Sequence, residues 1–174
     1  MTAPAIVRRG MSADAAALAI LARRTFCATF SPHNREEDMQ AYVAQAFGPA
    51  QQARELADPR LLTLLCECDG FLAGYAQLQR DTRPACDVPT GSIELKRFYV
   101  EPARHGSGLA ARLMATVFDA AREERAEHVW LGVWEHNPRA IAFYLKRGFV
   151  DIGSQPFRLG SDVQTDRVML AAVP

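Results

Sequence analysis

The sequence predicts a single mixed α/β domain, and three observations indicate this fold class. The chain has 174 residues, a length typical of one domain with a sizeable core. Its composition, 49% hydrophobic and 23% charged, is that of a globular protein. Helical and strand periodicities alternate along the chain without a repeat or a long linker. We therefore expect residues 1–174 to form one domain with a mixed, mostly antiparallel sheet and the element order β-α-α-β-β-β-α-β-α-β-β.

The first third of the chain is predicted to be mainly helical. Residues 5–9 read as a short strand, and Ser12 is the predicted N-cap of a helix that runs to about Phe26. A second helix is predicted over residues 35–47, where apolar side chains follow one stripe. After a Gly-Pro pair, a further short helix is predicted to end at about Leu56.

The middle of the chain changes from a helical to a strand period. Residues 61–68 and 71–79 are predicted strands, and Asp69-Gly70 between them is a strong signal for a two-residue hairpin. Residues 92–100 form the next predicted strand. A helix is then expected over residues 108–125, because apolar residues recur there every four positions.

The last third is predicted to contain one helix among three strands. Residues 128–134 read as a strand, and residues 138–147 as a helix with Asn137 as its N-cap, Pro at the first position and Gly past its end. Two final strands are expected over residues 149–153 and 167–171.

Charge and cysteine usage exclude several classes of function. The 20 basic and 20 acidic residues cancel, and no polybasic run occurs, so we expect neither nucleic-acid nor membrane-surface binding. The four cysteines lie at no metal or redox spacing, and His128 and His136 have no paired ligands, so no metal site is expected. No signal peptide or membrane-spanning run is found, which predicts a cytoplasmic location.

The segment from Arg104 to Ala110 lies between a predicted strand and a predicted helix and contains two glycines. Glycines in such a turn let the backbone approach a ligand, and the first N–H groups of the helix are unpaired donors suited to a pyrophosphate. A dinucleotide fingerprint also matches formally, but three strands precede it and too little chain follows. A glycine turn without a ligand is the third alternative.

Together with the helix that follows Asn137, this turn resembles the GCN5-related N-acetyltransferase (GNAT) superfamily. The acetyl-CoA motif [RQ]-x-x-G-x-[GA] corresponds to residues 105–110, with His105 in place of the usual Arg or Gln. The later motif N-x-x-A-x-x-[FY]-Y-x-x-x-G-F corresponds to Asn137 through Phe149. The resemblance covers nearly the whole chain and implies a seven-stranded GNAT domain with about four flanking helices.

The resemblance implies that acetyl-CoA is the cosubstrate and that no metal takes part. It places the cosubstrate on the end of the fourth strand, on the glycine turn and on the helix after Asn137. The residues implied are Phe98, Tyr99, Val100, His105, Gly106, Ser107, Gly108, Leu109, Ala110, Asn137 and Tyr144. Backbone N–H groups near Tyr99 and Val100 would stabilise the oxyanion.

Direct acetyl transfer to a primary amine needs a base and an acid. An amine with a pKa near ~10.4 must lose a proton before it attacks, and Glu94 is the candidate base, directly or through water. Tyr144 is the candidate acid for the leaving thiolate. With ordinary pKa values of ~10 for tyrosine and ~8.5 for a thiol, that transfer is uphill by about 2 kcal/mol.

Further points of similarity are Thr25-Phe26 with Thr29-Phe30, Met39-Gln40-Ala41-Tyr42, Ile93-Glu94 with Arg97-Phe98-Tyr99, Trp130-Leu131-Gly132-Val133-Trp134-Glu135 and Gln164-Thr165-Asp166. In these segments the chain most resembles the PaiA-type spermidine/spermine acetyltransferases of the superfamily, which suggests a polyamine acceptor. Lys96 departs from that subfamily, which tends to carry an acid there. An amino acid, an aminoglycoside or a protein N-terminus is the alternative acceptor, and a non-catalytic acyl-CoA-binding regulatory module is the alternative function. We expect a monomer or homodimer. The candidate acceptor-binding residues are Phe30, His33, Glu36, Glu37, Tyr42, Trp134 and Glu135.

Overall fold

The computed structural model describes residues 5–174, which contain one seven-stranded sheet and five α-helices. The predicted fold class is confirmed. The element order differs in one place, because the short segment after Gly48 forms a full α-helix, so that three helices rather than two lie between the first two strands and the total is five rather than about four. The strands are β1 (Ile6–Arg9), β2 (Leu61–Cys68), β3 (Phe71–Gln79), β4 (Ser92–Val100), β5 (His128–Trp134), β6 (Val150–Leu159) and β7 (Asp162–Ala172). The helices are α1 (Ala15–Phe30), α2 (Glu36–Ala46), α3 (Pro49–Ala57), α4 (Leu109–Glu123) and α5 (Pro138–Lys146).

The strand order in the sheet is β1-β2-β3-β4-β5-β7-β6. All neighbouring strands are antiparallel except β4 and β5, which are parallel and pair only from Ser92 to Glu94 on β4. Within residues 5–174, the rest of β4 has no partner strand on that edge. The sheet therefore opens into a gap at its centre.

The hairpin between β2 and β3 forms as predicted. Asp69 and Gly70 both have positive φ angles, 53° and 80°, which is the geometry of a two-residue turn with right-handed strand twist. The bounds of β2, β3, β4 and β5 match the predicted ones, because short apolar runs separated by turns and loops mark them clearly.

The first helix differs from its prediction at both ends. Ser12 is not an N-cap but begins a short 3-10 turn, in which the Asp14 carboxylate accepts the Met11 N–H and is held by Arg8. At the other end the helix continues past Phe26 to Phe30 because both aromatic rings are buried on the same stripe. The predicted end was therefore one turn too early.

The last two strands are longer than predicted. Pro156 lies inside β6, which is tolerated because β6 is an edge strand and needs no N–H donor on its outer side. The β6–β7 turn is tied to α2, since both the N–H and the hydroxyl of Ser161 donate to the Asp38 carboxylate at 2.6 and 2.7 Å. Asp38 thus has a structural partner.

Apolar side chains cover both faces of the sheet. One cluster packs α4 and part of α5 against the sheet, and the other packs α1 and α2 against the opposite face. A register shift in the β3–β4 ladder leaves Lys96 as an extra residue between Leu95 and Arg97. Beyond this bulge, Tyr99 stacks on Tyr75 within the α1–α2 cluster, whereas Phe98 packs in the α4–α5 cluster.

Candidate active site

A cavity of about 460 Å³ occupies the gap between β4 and β5. It reaches from α1 and α2 on one face of the sheet to the start of α5 on the other. Of the residues predicted for the site, the cavity wall contains Phe30, Tyr42, Glu94, Phe98, Tyr99, Val100, His105, Gly106, Ala110, Trp134, Asn137 and Tyr144. The structure therefore brings together elements that the sequence separates by more than a hundred residues.

The open edge of β4 presents backbone groups to the cavity. Glu101 donates its N–H to Ala73, so odd-numbered residues from Arg97 onward face β3 in this antiparallel ladder. The N–H groups of Phe98 and Val100 consequently point into the gap. The Tyr99 N–H faces β3, so the donors available at this edge come from Phe98 and Val100.

The glycine turn begins at one end of the cavity. Gly106 and Gly108 have φ angles of 80° and 86°, and a Cβ at either position would meet nothing within 4 Å. Four N–H groups of this turn and of the first turn of α4 have no acceptor among residues 5–174, those of Gly106, Gly108, Ala110 and Ala111. Such a set of donors at a helix start is suited to an anion.

Three residues of the predicted motif do not line the cavity itself. The Ser107 hydroxyl donates to the Arg104 carbonyl at 2.6 Å and so closes the turn. Gly108 caps α4, and the Leu109 side chain is buried in the core. These three residues stabilise the turn without lining the cavity.

His105, which departs from the family motif, joins two walls of the cavity. Its Nε2 lies 3.0 Å from the Val100 carbonyl oxygen, so Nε2 carries the proton in this tautomer. Its Nδ1 is then an acceptor, and the Arg139 guanidinium of α5 donates to it. The imidazole thereby holds a cation beside the glycine turn, where the family motif would itself supply Arg or Gln.

Helix α5 presents Asn137 and Tyr144 to the cavity. The Asn137 Oδ1 accepts the Ala140 N–H at 3.2 Å, which confirms the predicted N-cap. The Tyr144 ring packs edge-on against Phe98, Phe143 and Phe149, and only 8% of the residue is exposed. Burial raises the pKa of Tyr144 well above its ordinary value, so the hydroxyl stays protonated at neutral pH.

Glu94 lies where β4 and β5 begin to diverge. Burial raises the pKa of Glu94, and the neighbouring Thr82, Lys96 and Arg97 oppose that effect. A carboxylate with a raised pKa in a cavity has the properties of a general base.

Aromatic rings form the α1–α2 side of the cavity. Phe30 lies 5.6 Å from Trp134, and Tyr42 lies 5.5 Å from Phe157, measured between ring centroids. His33 packs on Trp134 outside the cavity wall. Three predicted acidic residues also lie outside it, because Glu36 and Glu37 are in the exposed first turn of α2 and Glu135 is exposed after β5.

Several residues of the cavity were not predicted from the sequence. Arg97 lines it and is held from behind by Glu55 and Gln77, at 2.5 and 2.9 Å. Both charged groups of this ion pair are buried, with side chains 10% and 6% exposed. Asp166 of β7 and Arg139 of α5 also line the cavity. The register of β7 with β5 and β6, rather than a spacing within one element, brings Asp166 there.

No helix among residues 5–174 is long and apolar enough to cross a membrane. Over the same residues, no group of three or more His, Cys, Asp or Glu side chains could hold a metal ion.

Comparison with known proteins relates this chain to one family. Residues 21–149 match the model of the acetyltransferase (GNAT) family. An uncharacterised N-acetyltransferase of Mycobacterium bovis is 39% identical over 158 residues, which cover 90% of this chain and 96% of that protein. An uncharacterised N-acetyltransferase of Lactobacillus delbrueckii subsp. lactis is 32% identical over 153 residues, 88% of each chain.

The solved structures agree on the fold. The PaiA N-acetyltransferase of Thermoplasma acidophilum, solved in complex with coenzyme A, superposes with a TM-score of 0.80. The alignment covers 98% of this chain and 99% of that one at 19% identity. The family-model match and the 39% identical relative together show that this chain belongs to the GNAT family of acetyltransferases.

Proposed function

We propose that this protein transfers an acetyl group from acetyl-CoA to a primary amine of a small molecule, by direct attack in a ternary complex. One observation carries the proposal: a single cavity joins the open edge of β4, the glycine turn at Gly106, the first turn of α4 at Ala110, and Tyr144. Family membership supports it, as does the coenzyme A bound in the related PaiA structure.

The donors of this cavity fit a CoA thioester. The N–H groups of Gly106, Gly108, Ala110 and Ala111 suit the pyrophosphate, because they are unpaired and converge at the start of a helix. The Phe98 and Val100 N–H groups face the gap and can donate to the thioester oxygen as negative charge develops on it. The pantetheine arm would lie along this edge of β4.

Two side chains carry the proton transfers in this proposal. Glu94, directly or through a water molecule, accepts the proton of the attacking amine. Tyr144 donates a hydrogen bond to the departing thiolate and then its proton. Burial raises the pKa of Tyr144, which makes this transfer harder than ordinary pKa values indicate, but the same apolar surroundings also raise the pKa of the thiol.

The acceptor we favour is a polyamine such as spermidine or spermine. The similarity to PaiA-type enzymes suggested it, and the cavity supports it with aromatic walls and two carboxyl groups, Glu94 and Asp166. Lys96 and Arg97 on the same wall favour a second candidate, an amino acid whose carboxylate they would bind. Glu55 pairs with Arg97 and lies 4.0 Å from Lys96, which reduces that attraction.

An amine panel tests this function. We expect free thiol to appear when the protein is incubated with acetyl-CoA and spermidine or spermine, faster than in the absence of an amine. Amino acids, an aminoglycoside and a peptide with a free N-terminus complete the panel. If only an amino acid stimulates thiol release, the second candidate replaces the first. If acetyl-CoA binds in calorimetry but no amine stimulates release, the enzymatic proposal fails in favour of a non-catalytic acyl-CoA-binding module.

The contact between His105 and Arg139 makes a separate prediction for the cosubstrate. We expect Arg139→Ala to weaken acetyl-CoA binding by about tenfold, the typical loss for a hydrogen bond to a charged group. Isothermal titration calorimetry at two salt concentrations measures this, and the variant should also show a weaker salt dependence. Arg147→Ala is the matched control, because Arg147 directly follows α5 and its guanidinium packs on the Phe143 ring, but Arg147 does not line the cavity. Equal losses in both variants would contradict a phosphate contact by Arg139.

A further inference from the structure

Asp166 is an acidic residue of the cavity without a function in the transfer described above. It lies on β7 opposite Trp134 of β5 and Gln155 of β6, so these three side chains share one face of the sheet. All three line the cavity. Within residues 5–174 the Asp166 carboxylate has neither a salt bridge nor a hydrogen bond.

A glycine on the neighbouring strand leaves space for this carboxylate. Gly132 has no side chain, and a Cβ there would lie 3.0 Å from Asp166 Oδ2 and 2.9 Å from Gln155 Nε2. The carboxylate therefore sits over the bare backbone of β5. Any larger residue at position 132 would displace it or the amide beside it.

The groups that lie around the Asp166 carboxylate are acidic or uncharged. Burial, together with the smaller effect of the neighbouring Glu135, raises the pKa of Asp166 to about 6. Tyr42 of α2 faces it across the cavity, and the adjacent Arg167 is turned away into an ion pair with Asp151 at 2.8 Å. A half-buried carboxylate that lacks a cation and is surrounded by aromatic rings is chemically suited to an ammonium ion.

Asp166 is well separated from Glu94 within the same cavity. Glu94 is in register with Trp130 of β5, whereas Asp166 is in register with Trp134, four residues further along that strand. Four residues of extended strand span roughly 13 Å. One amine of a small acceptor cannot contact both carboxyl groups, but two amines joined by a flexible chain can.

We propose that Asp166, positioned beside Gln155 over Gly132, binds a second positive charge of the acceptor, away from the amine that is acetylated. This rests on the proposed function, and it makes Asp166 a specificity-determining residue for acceptors with two cationic groups. Binding of the second charge strengthens as the pH rises through about 6, because the carboxylate must be ionised.

A pair of acceptors that differ by one charge tests this assignment. Hexamethylenediamine and hexylamine have the same six-carbon chain. The first has an amine at each end, and the second has an amine at one end only. We expect Asp166→Asn to raise the KM of the diamine about tenfold, while the KM of hexylamine and both kcat values stay within about twofold. Asp162→Asn is the matched control, because Asp162 begins the same strand but is exposed outside the cavity. It should change neither KM.

Calorimetry separates a failure of this assignment from a failure of the proposed function. Binding of hexamethylenediamine to the protein saturated with coenzyme A needs no turnover, and it should be about tenfold weaker in Asp166→Asn at pH 8. The difference between the two proteins should disappear at pH 5, where the carboxyl is protonated in the wild type. Equal diamine affinity at pH 8, or equal KM changes for both acceptors, would overturn the proposal. Thermal melting checks that the variant is folded.

Discussion

Replacing Tyr144 by phenylalanine is expected to lower kcat by at least about a hundredfold, the lower end of what general acid catalysis contributes. The affinity for acetyl-CoA should change by less than about threefold. The substitution keeps the ring, which packs against Phe98, Phe143 and Phe149, and removes only the hydroxyl. Single-turnover thiol release gives the first quantity, and calorimetry gives the second.

The physical reason lies in the charge of the leaving group. A thiolate that forms in a cavity with aromatic walls has lost its water and needs a donor in place. Burial raises the pKa of Tyr144, so the hydroxyl is protonated throughout the range in which the enzyme would work. Without that donor, the thiolate must leave unprotonated into an apolar site.

Tyr75→Phe is the matched control for this substitution. The Tyr75 ring is fully buried, its hydroxyl has no hydrogen-bond partner within residues 5–174, and it does not line the cavity. Removing that hydroxyl should leave turnover unchanged. If Tyr144→Phe retained wild-type kcat, or if both variants lost activity equally, Tyr144 would not be the acid.

The parts of the fold that the sequence predicted well are those set by local patterns. The Asp69-Gly70 turn and the short apolar runs on both sides of it predict the bounds of β2 and β3 correctly. The end of α1 depended instead on the burial of Phe30 against Trp134, a contact between residues far apart in the chain. The predicted strand 149–153 ended too early, and the edge position of β6 explains how the strand continues through Pro156.

In the candidate site, too, local patterns predicted some residues correctly, and only the tertiary structure brings in the others. Asn137 and Tyr144 are seven residues apart, about two helical turns, so the sequence alone predicts that they lie on one face of the same helix. The acidic start of α2 suggested an acceptor site, but Glu36 and Glu37 are exposed, and Asp38 binds the β6–β7 turn. The carboxyl that lines the cavity instead, Asp166, arrives through the register of β5, β7 and β6. Registers of this kind depend on the whole sheet, and a single sequence does not encode them locally.

Replacing Glu94 by glutamine is expected to lower kcat/KM for a monoamine acceptor by about a hundredfold near neutral pH. The side chain keeps its shape but can no longer accept a proton. The pH profile should also change in a defined way. Burial raises the pKa of Glu94, so wild-type activity falls as the pH drops through that raised value, where the base becomes protonated. In the variant this acidic limb should be lost, while the increase caused by deprotonation of the amine at high pH remains.

The choice of a monoamine keeps two titrations apart. Because Asp166 has a pKa of about 6 and binds the second amine of a diamine, its titration would add a further inflection to the pH profile of a diamine acceptor. Hexylamine has no second charge, so its pH profile should not show that inflection. Glu94→Asp, the control that keeps the carboxylate, shortens the side chain by one methylene. Because a water molecule can fill that distance, partial activity with a preserved acidic limb in this variant would indicate a base that acts through water. An acidic limb that persisted in Glu94→Gln would instead assign the proton transfer to another group.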